Sequence, residues 1–242
     1  MEHDHSVEAI RQRLSAGPQH NYLRDWIYGG IDGSVTTFAV VTGVVGANLS
    51  PAVIVILGLA NLMGDGFSMA ASNFLGTKSE HDDVTRLEAI ERRHIAVAPE
   101  GEREEVRQIF AAKGFAGTDL ERVVELITSD PDRWVRTMLT EEYGLPLEPR
   151  SPWMAATSTF SAFAVCGLIP LIPFLINLPR AFPISVVLTA VMFFIIGSIK
   201  SIWSTVSWWR SGLSTLLVGG TAAGLAYVVG VFLKGLVSEI GP

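Results

Sequence analysis

Ala52 to Leu75 reads AVIVILGLANLMGDGFSMAASNFL, an apolar run in which Asp65 is the single charge. Its length matches the ~20 residues that a helix needs to cross a hydrocarbon core of ~30 Å. An ionised side chain at mid-bilayer costs roughly 2.5 to 3.5 kcal/mol even on the lenient insertion scale, so Asp65 marks a functional position. The pattern recurs outward from this stretch. Tyr28 to Ala47 is apolar around one carboxylate, Asp32, while Trp153 to Leu178, Ala181 to Ile199 and Ser211 to Leu233 hold no charge. The expected fold is an all-α membrane protein with five transmembrane helices per subunit. Short turn-like joints at Asn48 to Pro51, Leu178 to Arg180 and Ser204 to Ser211 make neighbouring spans antiparallel.

Composition agrees with that reading. Of 242 residues 49% are hydrophobic, and the mean hydropathy of +0.37 is too high for an ordinary soluble domain. The net charge of -6 is concentrated: Lys78 to Arg150 holds 17 acidic and 11 basic residues, and the remaining acids and bases cancel. Such a block disfavours nucleic acid and favours cations as partners. A single cysteine, Cys166, rules out an intrachain disulfide or a thiolate cage. The first twenty residues are polar with no apolar signal core, so the first span is expected to serve as its own insertion signal. His3, Asp4 and His5 read as a mobile tail.

The acidic insert reads as four helices between the second and third spans. Lys78 to Val97 has no Gly or Pro and continues the second span; the next helix runs from about Gly101 to Lys113 and stops at Gly114. A third opens at Thr118, where Glu121 completes the capping-box spacing, and a fourth opens on Asp130 with Pro131 in its first turn and ends before Gly144. Domain limits follow: an arm over 1–21, spans one and two over 22–77, the insert over 78–150, and spans three to five over 151–238. Arg11, Arg13, Arg24, Lys200 and Arg210 join the insert's basic residues on one face, with Arg180 and Lys234 opposite. The excess of positive charge places the N-terminus and the insert in the cytosol and the C-terminus across the membrane.

Two constellations carry chemistry. In the membrane, Gly29, Gly30 and Gly33 surround Asp32 and permit either close helix approach or local unwinding that would offer carbonyls to a cation. Asn61, Asp65 and Met69 recur every four residues and share one helix face. A thioether beside oxygen donors suits Fe(II) better than Mg(II) or Ca(II). In the insert, Glu91 with His94, Glu102 with Glu105, and Met138 with Glu142 each put two potential donors on one helix face. Their glutamates could equally pair with Arg92, Arg93, Arg103 and Arg107 as a solvated surface.

Asp32-Gly33, the string Asp65-Gly66-Phe67-Ser68-Met69-Ala70-Ala71, the exit Thr77-Lys78-Ser79-Glu80, and Gly167-Leu168-Ile169-Pro170-Leu171-Ile172-Pro173-Phe174 together resemble the vacuolar iron transporter family, over about Arg24 to Leu236. The resemblance implies a homodimer that moves Fe(II), and often Mn(II), out of the cytosol in exchange for protons, with metal as cargo and no resident cofactor. It implies path roles for Asp32 and Met69, and cytosolic metal-binding roles for Glu91, Glu102, Glu105, Met138 and Glu142. Asn61 stands where plant members carry a path glutamate, which Asp65 one turn away would replace, and His94 stands at a glutamate position. The host membrane would be vacuolar in a eukaryote and fits a prokaryotic plasma membrane equally well. Rival readings are a Mn(II)-preferring exporter and, because Glu91-x-x-His94 is half of a di-iron motif, a membrane-tethered carboxylate ferroxidase.

Overall fold

A computed structural model describes residues 4–15, 20–146 and 150–240, with side chains to residue 235. The described residues are helical: α1 (Val7–Ser15), α2 (Leu23–Gly46), α3 (Pro51–Val97), α4 (Pro99–Ala112), α5 (Gly117–Thr128), α6 (Pro131–Glu141), α7 (Pro152–Leu168), α8 (Ile172–Leu175), α9 (Ala181–Lys200) and α10 (Trp208–Ile240), with single 3-10 turns at Ile169–Leu171 and Ser201–Trp203. Five helical stretches are long and apolar enough to cross a membrane: Leu23–Gly46, Pro51–Val97, Pro152–Leu175, Ala181–Trp203 and Trp208–Gly235. They coincide with the five expected spans, and α2 begins earlier than Tyr28, so that Asp25 joins Asp32 inside the first.

The chain divides into two compact units, one comprising the N-terminal segment and residues 76–151, the other residues 20–75 and 152–242. The helix α1 groups with residues 76–151. Asp4 is not a loose tail residue: its carboxylate accepts from the Ser6 N–H and hydroxyl, both at 2.9 Å, at the start of α1. His3 lies outside the described residues.

In the membrane unit, glycine sets the helix spacing. Gly29 and Gly33, one turn apart on α2, face the backbone of α7: a Cβ on Gly29 would meet the Thr159 carbonyl oxygen at 2.3 Å, and one on Gly33 the Phe163 carbonyl oxygen at 2.4 Å. This is the small-xxx-small contact by which membrane helices approach closely. A second seam joins α2 to α10, where a Cβ on Gly46 would stand 2.5 Å from the Tyr227 carbonyl oxygen and one on Gly230 2.1 Å from that of Gly43. Of the two uses open to the glycines around Asp32, the fold takes close packing: α2 is unbroken, and no carbonyl is released by unwinding. Gly220 and Gly224, also a small-xxx-small pair, have no neighbour within 4 Å of a built Cβ, so they serve no contact among the described residues.

Pro170 and Pro173 interrupt the third span as a 3-10 turn followed by α8. The Pro170 carbonyl is satisfied within the protein by the Ser185 hydroxyl at 2.7 Å, the usual remedy for broken backbone in lipid. Phe38, Val41, Ile54, Leu62, Phe163, Leu171 and Phe193 fill the core between these helices.

In the helical unit, α3 runs unbroken to Val97 and Pro99 starts α4, slightly before the expected Gly101. Asp130 caps α6 as expected, accepting from the backbone N–H groups of Asp132 (2.9 Å) and Arg133 (3.1 Å). The capping box of α5 does not form. Ala116 is the N-cap with no side-chain hydrogen bond, and Glu121 is drawn instead into a bidentate pair with Arg107 at 2.8 and 3.0 Å. A bidentate charge-assisted pair outcompetes a single bond to an exposed N–H.

The α2–α7 seam makes a direct prediction. Gly33→Ala forces two backbones apart and is expected to destabilise the membrane unit by about 1–3 kcal/mol. Gly76→Ala, where a Cβ meets nothing within 4 Å, serves as control. Thermal unfolding in detergent should separate the two variants; coincident transitions would mean the seam tolerates a methyl group.

Candidate metal centre

The helical unit packs α4, α5 and α6 around Val106, Val124, Ile127, Trp134 and Met138, with Ile95 of α3 against them. Above this apolar base, α3 contributes Glu91 and His94 and α4 contributes Glu102. One ligand atom from each lies within 4.8 Å of the others. His94 Nδ1 is 3.8 Å from Glu91 Oε1 and 3.5 Å from Glu102 Oε1. The carboxylates are almost entirely buried, at 1% and 6% exposure, whereas the imidazole is 46% exposed.

Each buried carboxylate leaves one oxygen unmatched. Glu91 Oε2 and Glu102 Oε2 have no hydrogen-bond partner among the described residues. Leaving a buried ionised oxygen unpaired is strongly unfavourable, so these two call for a proton or a cation. The arginines do not answer that need. Arg92 pairs with Glu88 and with Asp132 of α6, both at 2.8 Å, and Arg107 pairs with Glu104 and with Glu121 of α5. The surface-pair reading therefore holds for those acids and fails for Glu91 and Glu102.

Burial, followed by the like charges of Glu105 and Glu91, pushes the Glu102 carboxyl up to about 7. Burial and the same kind of repulsion from Glu91 and Glu105 also raise Glu142. Glu105 and Glu142 are exposed and stand within electrostatic range of the buried pair. Met138 is fully buried in the apolar base. Of the six expected donors in this unit, Glu91, His94 and Glu102 are thus in mutual reach, Glu105 and Glu142 stand around them, and Met138 lies beneath.

The membrane donors form a separate set. Asn61 donates to the hydroxyls of Thr36 and Thr37 at 3.2 and 3.3 Å, linking α3 to α2. Asp65 is exposed on α3, Asp32 is half-buried on α2, and the two carboxylates are close enough to interact through their charge. Met69 packs against the membrane core. Two groups escaped sequence reasoning. Asp25 is buried and accepts from the Asn73 amide at 3.0 Å, which also reaches the Ala155 carbonyl at 3.3 Å and the Thr159 hydroxyl at 2.8 Å. The available signal was Asn73 itself, one further step in the Asn61, Asp65, Met69 spacing. Tyr143, whose hydroxyl donates to Glu91 Oε1 at 2.8 Å, follows α6 and obeys no ligand spacing.

Five bilayer-length helices, together with two buried carboxylates beside an imidazole, fit one class, the multi-span membrane proteins that handle metal ions. The chain belongs to the VIT family, whose model matches residues 23–231. It is 32% identical to vacuolar iron transporter 1 of Arabidopsis thaliana over 93% of this chain and 88% of that protein. It is 30% identical to the vacuolar iron transporter of Toxoplasma gondii over 95% and 82%. With that of Plasmodium berghei it shares 29% identity over 96% and 89%. The chain is accordingly a metal transporter of this family and not an enzyme, which sets the ferroxidase reading aside.

The raised Glu102 fixes the sign of a pH effect. Its pKa lies above the ordinary 4.5, so the stability tied to its protonated form is complete below about 4.5 and is lost as pH rises through about 7. Metal needs the ionised form, so affinity runs the other way and climbs over the same window. After correction for the base-catalysed intrinsic rate, amide protection in α3 and α4 of the metal-free protein should be lower near pH ~8 than near pH ~5.5. Glu102→Gln should flatten that difference and weaken Mn(II) binding; an unchanged exchange profile would show that Glu102 is not the strained group.

Proposed function

We propose that this chain carries Fe(II), with Mn(II) as a second cargo, out of the cytosol in exchange for protons. Its helical unit captures the ion, and a membrane path containing Asp32, Asp65, Met69 and Asn61 transfers it between the subunits of a homodimer. The observation that carries the reading is the pair of buried carboxylates Glu91 and Glu102, each with one unpartnered oxygen and each within reach of the His94 imidazole, in a protein with five apolar spans. Mixed oxygen and nitrogen donors suit first-row divalent ions. Glu105, Glu142 and Met138 complete the capture site as it closes on metal. The names of the relatives, vacuolar iron transporters, support iron as cargo.

Proton coupling follows from the donors. Carboxylates that hold a cation must release protons, and protons arriving from the far side reset them. The Lys and Arg distribution supports a cytosolic N-terminus and helical unit, with the C-terminus opposite. The oxygen donors would also serve a Mn(II)-preferring exporter, and Met69 favours the iron reading.

Purified protein in liposomes with an imposed pH gradient is expected to take up Fe(II) and Mn(II) ahead of Zn(II). Asp32→Ala should reduce flux to background while leaving thermal unfolding unchanged, because the glycine seam beside it requires no charge. Near-normal flux through that variant would remove Asp32 from the path, and flux indifferent to the pH gradient would exclude proton exchange.

A further inference from the structure

Tyr143 holds one oxygen of a buried ligand and leaves the other open. The chain reverses just after α6, where Gly144 adopts a left-handed conformation (φ 65) and the Leu145 N–H donates to the Leu139 carbonyl at 2.9 Å. A residue with a Cβ is disfavoured at that φ, so the reversal is fixed by the glycine. It seats the partly buried Tyr143 ring beside α3, with its hydroxyl 2.8 Å from Glu91 Oε1. Burial and the Glu91 carboxylate push the phenol upward in pKa, which keeps it protonated and donating.

The two oxygens of Glu91 are therefore unequal. Oε1 accepts from the phenol and stands 3.8 Å from His94 Nδ1, while Oε2 is buried with no hydrogen-bond partner among the described residues. An oxygen that already accepts from a phenol is the weaker donor to a cation, so a carboxylate so tethered favours ligation through one oxygen over two. That difference separates metal classes. Ca(II) collects six to eight oxygens and often takes carboxylates in bidentate fashion. First-row divalent ions accept fewer ligands and welcome an imidazole such as that of His94.

We propose that Tyr143 is a specificity-determining positioning residue, which holds Glu91 monodentate through the bond to Oε1 and thereby turns the centre toward first-row divalent metals and away from Ca(II). The assignment rests on the reading of Glu91, His94 and Glu102 as a metal-capture site. It concerns selectivity at that site and places Tyr143 outside the set of residues that touch the ion.

The test uses the full-length protein in detergent, with Mn(II) as the probe. Free Mn(II) is counted by electron paramagnetic resonance during titration, and Ca(II) affinity is read by competition in the same sample. Tyr143→Phe removes only the hydroxyl and is expected to lower Mn(II) affinity about tenfold or more, the usual cost of losing an outer hydrogen bond to a metal ligand, without a matching fall for Ca(II), so that the Mn(II)-to-Ca(II) ratio drops with it. Tyr143→Leu, which removes the ring as well, should give the same ratio. If both affinities fall equally in either variant, or neither changes, Tyr143 is only a packing residue and the proposal is overturned. Glu91→Gln distinguishes the two levels of the argument: it should abolish Mn(II) binding if the capture site is real. Failure of the wild-type protein to bind Mn(II) would overturn the capture reading and this inference with it.

Discussion

The approach of α2 to α7 through Gly29 and Gly33 is the contact on which the membrane unit depends. With carbonyl oxygens of α7 standing where a Cβ would be, these helices are in backbone contact, and the rest of the bundle is arranged around them. The seam places Asp32 on a helix held rigidly on both sides by glycine contacts. It also brings Asp25 and Thr159 within reach of the Asn73 amide, so that α2, α3 and α7 share one donor. A lipid environment offers little hydrophobic drive for association, so close packing and internal hydrogen bonds carry the load that apolar burial carries in water.

The helical unit is organised by the opposite problem. Its core of Val106, Val124, Ile127, Trp134 and Met138 is an ordinary apolar cluster. The same unit buries two carboxylates from different helices and sets only the half-exposed His94 beside them as a possible cation. Two of the nearby arginines, Arg92 and Arg107, are occupied at the rim, by Asp132 and Glu88 in one case and by Glu104 and Glu121 in the other. Local frustration of this kind is characteristic of binding sites, where stability is given up for the ligand's sake.

Much of this was legible in the sequence. The five spans declare themselves by length and absence of charge, and the continuity of α3 follows from the absence of Gly and Pro between Lys78 and Val97. Glu91, His94 and Glu102 could be nominated from helical spacing, although only the fold shows them facing one another. Other features were illegible for identifiable reasons. Close packing and local unwinding both ask for a missing Cβ, so the glycines around Asp32 could not choose between them. Thr118 and Glu121 have capping-box spacing, but a guanidinium fourteen residues away offered Glu121 more than the backbone did. Asp25 lies ahead of the apolar run Tyr28 to Ala47 and so falls outside the expected span. Tyr143 acts from beyond a helix end, where no periodicity applies.

The rim ion pairs have a consequence of a different kind. Arg92 to Asp132 joins α3 to α6, Arg107 to Glu121 joins α4 to α5, and Lys113 to Glu141 joins α4 to α6. None touches Glu91 or Glu102, and each is exposed enough to contribute little on its own. Together they form a clasp that fixes how the ligand-bearing helices face one another, and it is a clasp made of screened charge, acting over a Debye length of about 10 Å at ~0.1 M salt. Ionic strength thus reaches the carboxylate cluster without competing for it, whereas the glycine seams of the membrane unit hold no charge for salt to screen. The two halves of the protein answer to different solvents.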